Sequence, residues 1–295
     1  MMKSAGLKKR LNILFFLSPW LVSFTLFTLY PIGYSFYLSF TKYNPISGQA
    51  PRFIGLQNYL AIFSDDRFWL ALKNTLFFVV GTVPITTTIA VVLAVFLNEK
   101  IKFRSFFRAA YFMPAVTSIV VIATIFIYIY SPFGVLNSLL SLFGVQGRNW
   151  LLDCHFALPA IMAMDIWESF GYYTILFLAG LQSIPEELYE AANIDGATGT
   201  QQFFRITIPL LRPTFIFVLV INTIRSFQVF SEIFVMTQGG PIGATTTLVY
   251  YLYNMGFQKF RMGYASALAY VLFAIILIFS LLQMKVLRYG ERIYD

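Results

Sequence analysis

Long apolar runs alternate along the chain with shorter polar segments in which basic residues cluster, and each run outlasts any ordinary soluble strand. Six runs stand out: Ile13–Phe40, Thr75–Leu97, Ala109–Tyr130, Ala157–Gln182, Thr214–Met236 and Tyr264–Met284. A bilayer core of about 30 Å takes roughly 20 helical residues. Lipid offers the backbone no hydrogen bonds, so helix is the expected form of all six. Pro19, Pro31, Pro84 and Pro114 fall inside the runs. They would break soluble helices, whereas in membrane helices they produce kinks. The fold class expected is all-α and integral to a membrane, with six transmembrane helices. The first run follows Lys8-Lys9-Arg10 but continues to Phe40 without a small-residue cleavage site. A secretory signal core has only about 7–15 residues, so this reads as an uncleaved first span.

Composition agrees. Of 295 residues, 58% are hydrophobic and 12% charged, against about 25% charged in a soluble domain. These figures exclude a disordered chain, a collagen-like fibre and an ordinary cytosolic enzyme. Cys154 is the only cysteine, which excludes an intrachain disulfide. The net charge of +8 would suit nucleic acid if it formed one face. Instead the basic residues sit between apolar runs, as topology signals do, and no nucleic-acid partner is expected.

Six spans place both termini on one side. That side collects Lys3, Lys8, Lys9 and Arg10, then Lys100, Lys102, Arg104 and Arg108, then Arg205 and Arg212, and finally Lys285, Arg288 and Arg292. The other side has only Lys42, Arg52, Arg67, Lys73, Arg148, Lys259 and Arg261. The basic excess puts both termini in the cytoplasm. The expected organisation is a cytoplasmic N-terminus at 1–10, one six-span domain at 11–287 and a cytoplasmic tail at 288–295. The loops at 41–74, 131–156, 183–213 and 237–263 have room for short helices.

The 183–213 loop is the most informative. Ser183 and Glu186 have capping-box spacing, with Pro185 at an early helical position. Leu188, Ala191, Ala192 and Ile194 form an apolar side, and Gly196 supplies a turn. Thr198-Gly199-Thr200 then opens a second helix through Ile206, ended by Pro209 and Pro213. Four acids, Glu186, Glu187, Glu190 and Asp195, beside small residues suit docking onto a protein rather than onto anionic headgroups.

Four ionisable residues fall inside spans: Asp165, Glu168, Arg225 and Glu232. Such groups are costly in lipid and face a cavity or a partner. On a continuous helical wheel, Asn222, Arg225, Ser226, Gln228, Val229 and Glu232 share one side of the fifth span. Glu168 and Arg225 each lie 11 residues from the outer end of their spans, about 17 Å deep at about 1.5 Å per residue. Asp165 and Gln228 match at about 12 Å. Two readings stand: an ion pair joining two helices, or groups lining a solute path. Asp153, Cys154 and His155 look like a metal cluster only on paper, since one His and one Cys cannot fill a site.

The order Glu190-Ala191-Ala192, three residues, Gly196, nine residues, then Ile206-x-Ile208-Pro209 resembles the EAA signature of ABC importer permeases, with Ile208 where the family usually has Leu. Asp195-Gly196-Ala197, Phe203 and Pro213 are similar to the carbohydrate-uptake branch. So are Phe53-Ile54-Gly55-Leu56-Gln57-Asn58-Tyr59 and Thr237-Gln238-Gly239-Gly240-Pro241. The resemblance implies a maltose-permease-like fold with a cytoplasmic coupling helix, in the cytoplasmic (inner) membrane of a prokaryote. It assigns ATPase coupling to Glu190, Ala191, Ala192, Asp195, Gly196 and Ala197. Matched through Leu181-Gln182 and Gly239-Gly240-Pro241, it places sugar contacts at Glu168, Ser169, Tyr172, Asn222, Ser226 and Val229. Together with the depth argument, the expected solute path is Glu168, Ser169, Tyr172, Asn222, Arg225, Ser226 and Gln228.

The chain carries no G-x-x-x-x-G-K-[ST] phosphate loop. The resemblance therefore implies no ATP hydrolysis here, two separate ATPase subunits holding ATP and Mg²⁺, and no cofactor in this chain. With one EAA loop for two docking clefts, it implies a second homologous permease, identical or paralogous, with a heterodimer expected, together with an external solute-binding protein. The expected activity is ATP-driven import of a sugar or sugar-like solute across the cytoplasmic membrane. Two rivals remain at this level: glycerol phosphate or another polar solute, with Arg225 as anion site, and a proton-coupled secondary transporter using Asp165, Glu168 and Glu232.

Overall fold

The computed structural model describes residues 13, 15–98 and 102–288. The basic residues at 3, 8–10, 100 and 292, and the terminal segment expected at 1–10, lie outside them, as does nearly all of 288–295. The described chain is helical apart from one short ribbon, and its contacts divide it into two compact units, 1–65 with 252–271 and 66–251 with 272–295.

In the first unit, the Phe15–Ser39 helix contains a π-helical stretch at Thr25–Leu29. Its most hydropathic window is wholly unburied within the chain. The ribbon pairs Thr41–Lys42 antiparallel to Arg52–Phe53, with Thr41 opposite Phe53. The Phe53–Tyr59 motif has a local physical role here. Gly55 turns at φ +60°, and the Asn58 amide donates to the Ser39 and Thr41 carbonyls at 2.8 and 2.9 Å. Those bonds satisfy the Ser39 carbonyl that the helix end leaves open and tie it to the first strand of the ribbon. A side chain at Gly263 would strike the Thr41 carbonyl, so the Met262–Arg288 helix begins in close backbone contact with the ribbon.

The second unit is organised around two long helices, Asp66–Asn98 and Ala157–Gln182. Lipid removes most of the hydrophobic drive between helices, so close fit decides their packing. Small residues permit it. A Cβ at Gly81 would overlap the Met162 side chain, one at Gly171 the Tyr111 carbonyl, and one at Gly180 would come within 2.5 Å of Thr214 Oγ1. One buried cluster gathers Phe78, Ile122, Ile161, Met164 and Ile233, and another Ala90, Tyr173, Phe177, Leu211 and Val218. Several hydroxyls inside these helices turn back on their own carbonyls, as Thr75, Thr82, Thr174 and Ser169 do at 2.7–2.8 Å, so these four add no unsatisfied polarity to the packed faces.

Of the six expected spans, the described residues give four, or five if a bent pair counts as one. Four described helices are long and apolar enough to cross a bilayer: Phe15–Ser39, Asp66–Asn98, Arg212–Met236 and Met262–Leu287. The run expected as one span at Ala109–Tyr130 is broken. Helices Ser105–Val116 and Ile119–Ile129 meet at 96°, because Pro114 removes a ladder donor and Thr117 and Ser118 turn extended. Ala157–Gln182 has 26 residues, enough length at about 39 Å, but its polar groups lower its hydropathy. Pro84 does not interrupt its 33-residue helix.

Candidate functional site

Two regions follow from this packing: a cluster of charged groups between helices and a surface loop of short helices.

The charged cluster lies where Ala157–Gln182 meets the Arg212–Met236 segment. Arg225 Nη2 donates to Glu168 Oε2 at 2.5 Å and lies 3.3 Å from Asp165 Oδ1. The matched depths of Glu168 and Arg225 thus correspond to a direct pair, and Asp165, one helical turn before Glu168, joins it. The carboxylates are buried, while the Arg225 side chain keeps 36% of its surface. That exposure opens onto a cavity of about 540 Å³ lined by Asp165, Glu168, Arg225, Gln228, Ser231, Glu232 and apolar neighbours such as Ile119 and Val229.

Of the seven residues expected on a solute path, Glu168, Arg225 and Gln228 line this cavity; the other four do not. Asn222 and Ser226 are buried against the Asp66–Asn98 helix, where Thr82 Oγ1 donates to Ser226 Oγ at 3.3 Å. The Ser169 hydroxyl donates to the Asp165 carbonyl. Tyr172 is 44% exposed on another face, its ring edge-on to Tyr173. The wheel for the fifth span assumed one continuous helix, and the helix is not continuous. It stops at Phe227, and a new turn starts at Ser231 after Phe230 leaves helical geometry at φ −143°. Side-chain phase is lost across such a break, so Ser226 points inward while Gln228, Ser231 and Glu232 face the cavity. Asp165 and Glu232, recognised as charges within spans but left out of the path, belong to the lining. Their period with Glu168 and Gln228 was the available signal.

The 183–213 loop contains a helix, Glu186–Ile194, with no buried residue. Gly196 takes φ +74°, a conformation that a Cβ opposes, and this turns the chain as expected. Thr198 caps Gly199–Gln202 in a full capping box with Gln201. The box expected at Ser183 and Glu186 is absent: Ser183 Oγ instead donates to the Gly180 carbonyl at 2.7 Å, closing the preceding helix. Pro209 and Pro213 do not end the second helix either. Each sits in the first turn of a following segment, Ile208–Leu210 and Arg212–Phe227, where a missing N–H costs nothing.

Bonds unforeseen from spacing fix the angle between the two short helices. Gln202 Nε2 donates to Asn193 Oδ1 at 2.6 Å and to the Ala197 carbonyl at 3.2 Å, and the Tyr189 and Thr207 hydroxyls meet at 2.9 Å. Leu188 is 42% and Ile194 87% exposed. Glu190, Ala191, Asp195 and Gly196 are exposed with them, and Ala192 and Ala197 are half-buried. The expected apolar side is present, uncovered by the rest of the chain.

Asp153 and His155 form a surface turn. The His155 backbone N–H donates to Asp153 Oδ1 at 2.8 Å, and this bond holds the carboxyl below its usual range.

The chain belongs to the family of binding-protein-dependent transport system inner membrane components, whose model matches residues 86–287. It is 40% identical over 281 residues to the probable ABC transporter permease protein YurN of Bacillus subtilis, covering 94% of this chain and 96% of YurN. It is 39% identical to the arabinooligosaccharides transport system permease protein AraP of the same organism, covering 92% and 86% of the two chains. Its fold matches a chain of a bacterial ABC transporter involved in import of the acidic polysaccharide alginate, with TM-score 0.85, 27% identity and coverage of 98% and 99%. A second structure, an alginate ABC transporter in complex with an alginate pentasaccharide-bound periplasmic protein, matches with TM-score 0.82 and 26% identity over 95% of this chain and 94% of that one. The fold is that of an ABC importer permease.

Proposed function

We propose that this chain is the permease subunit of a sugar-importing ABC transporter. The observation that carries the reading is the loop at 183–213, two short helices braced at a left-handed Gly196 and presenting an uncovered face. Glu190, Ala191, Ala192, Asp195, Gly196 and Ala197 form the docking element for an ATPase subunit. The relatives' names support a saccharide as solute.

In this reading the domain at 11–287 crosses the membrane six times. The bent pair Ser105–Val116 and Ile119–Ile129 serves as the third span and Ala157–Gln182 as the fourth. The segments at 1–10 and 288–295 lie in the cytoplasm. A homologous second permease completes the path, two ATPase subunits hold ATP and Mg²⁺, and an external binding protein delivers solute; the complex noted above supports that last partner. ATP-driven closure of the ATPases moves the docking loop, which is continuous with the helix carrying Arg225. The residues at Glu168, Arg225 and Gln228 meet solute, and Ser169, Tyr172, Asn222 and Ser226 shape the walls behind or beside them.

The test is uptake of a labelled oligosaccharide by the assembled complex in sealed vesicles, with ATP supplied to the ATPase side. Uptake should require ATP and binding protein and should survive a protonophore. Uptake driven by a proton gradient without ATP, or ATP hydrolysis by this chain alone, overturns the reading.

A further inference from the structure

The cavity beside Arg225 has an unusual charge balance for a membrane interior. Arg225 is the one basic residue among the described residues lining it, and Asp165, Glu168 and Glu232 all face the same space. Arg225 Nη2 serves both Glu168 and Asp165, while Nη1 is buried without a hydrogen-bond partner and turned away from the open space. Glu232 is only 6% exposed, yet makes no hydrogen bond or ion pair among the described residues. Unpartnered carboxylates are not left in such places without a use, because desolvation is uncompensated there. Gln228 and Ser231 beside it add neutral donors and acceptors.

We propose that this cavity is a charge filter that accepts neutral or amine-bearing saccharides and rejects carboxylated or phosphorylated ones, with Glu232 as the free acceptor that meets the solute's hydroxyl or ammonium groups. With the three carboxyls ionised, acids outnumber the single cation in the lining, so an anionic solute meets a net negative wall. A low-dielectric wall concentrates the negative field at the cavity mouth. Arg225 serves to hold Asp165 and Glu168 in place and is not an anion site. The inference rests on the reading of this cavity as part of the solute path.

The experiment uses the assembled complex in membranes, with Cys154→Ser removing the native thiol and Ser231→Cys as reporter. Thiol labelling is timed with a cationic and an anionic methanethiosulfonate of similar size. The cationic reagent should react at least about tenfold faster, within the range that focused fields produce. Glu232→Gln should cut that ratio several-fold, and Glu232→Asp should restore it, which separates charge from misfolding. Equal rates, faster anionic labelling or a ratio unmoved by Glu232→Gln overturns the proposal. Protection is then measured with three disaccharides of one linkage: cellobiose, its diamino analogue and cellobiouronic acid. Slowing by the first two but not the acid supports the filter, and equal slowing by the acid overturns it. If no disaccharide protects while the reagent ratio stands, the charge preference holds and the saccharide reading fails.

Discussion

Glu168→Gln tests how the Arg225 cluster is built. A simple pair would leave a stranded charge after this change, at a cost of about 3–5 kcal/mol. Here Asp165 remains 3.3 Å from the same nitrogen, and the glutamine carbonyl still accepts from it. The expected loss is therefore about 1 kcal/mol, the difference between a charged and a neutral acceptor. Arg225→Met keeps the volume but leaves Asp165 and Glu168 without their counterion. It should cost about 3 kcal/mol, at the low end because the cavity admits water. Glu168→Gln combined with Asp165→Asn strands the guanidinium and should exceed the sum of the single changes by about 1–2 kcal/mol. The assay is thermal unfolding of the purified complex in nanodiscs at one scan rate. With about 2–4 °C per kcal/mol for chains near this size, the first change lowers the midpoint by a few degrees and Arg225→Met by roughly three times as much. Equal losses from Glu168→Gln and Arg225→Met, or strict additivity in the double variant, would refute a shared three-member cluster.

Gly196→Val should keep the membrane fold, since open space surrounds the position. It adds about 1–2 kcal/mol of left-handed strain and so reduces solute uptake per ATP hydrolysed in reconstituted vesicles; Gly196→Asn, which tolerates this conformation, should retain most coupling. Equal coupling in wild type and the Val variant would exclude the turn from energy transfer. Asn137 is 4% exposed and serves Trp150 Nε1, the Arg148 N–H and the Ser131, Pro132 and Arg148 carbonyls. Asn137→Ala should therefore loosen residues 131–156 by about 2–3 kcal/mol, read as faster amide exchange confined to that loop. Unchanged exchange there would show that the network is dispensable.

Much was legible in the residue order because it depends on neighbours within one or two turns. The apolar runs specify helices wherever water is excluded, and the 183–213 loop announces itself through Gly196 and the Thr198 cap, both decided by backbone conformation over a few residues. The EAA pattern carried the family for the same reason: it is a local shape. Matched depth even brought Glu168 to Arg225, since the short break between Phe227 and Ser231 changes the rise little. What tertiary structure alone decided is direction. Thr117-Ser118 turns a single apolar run into two helices at 96°, and Phe230 resets the phase between Ser226 and Glu232. Ser183 finds the carbonyl behind it rather than the amide ahead. A wheel extrapolates one axis, but a side chain beyond a break faces wherever the crossing helices leave room, so the place of Ser231 and Glu232 in the cavity was decided by the tertiary structure.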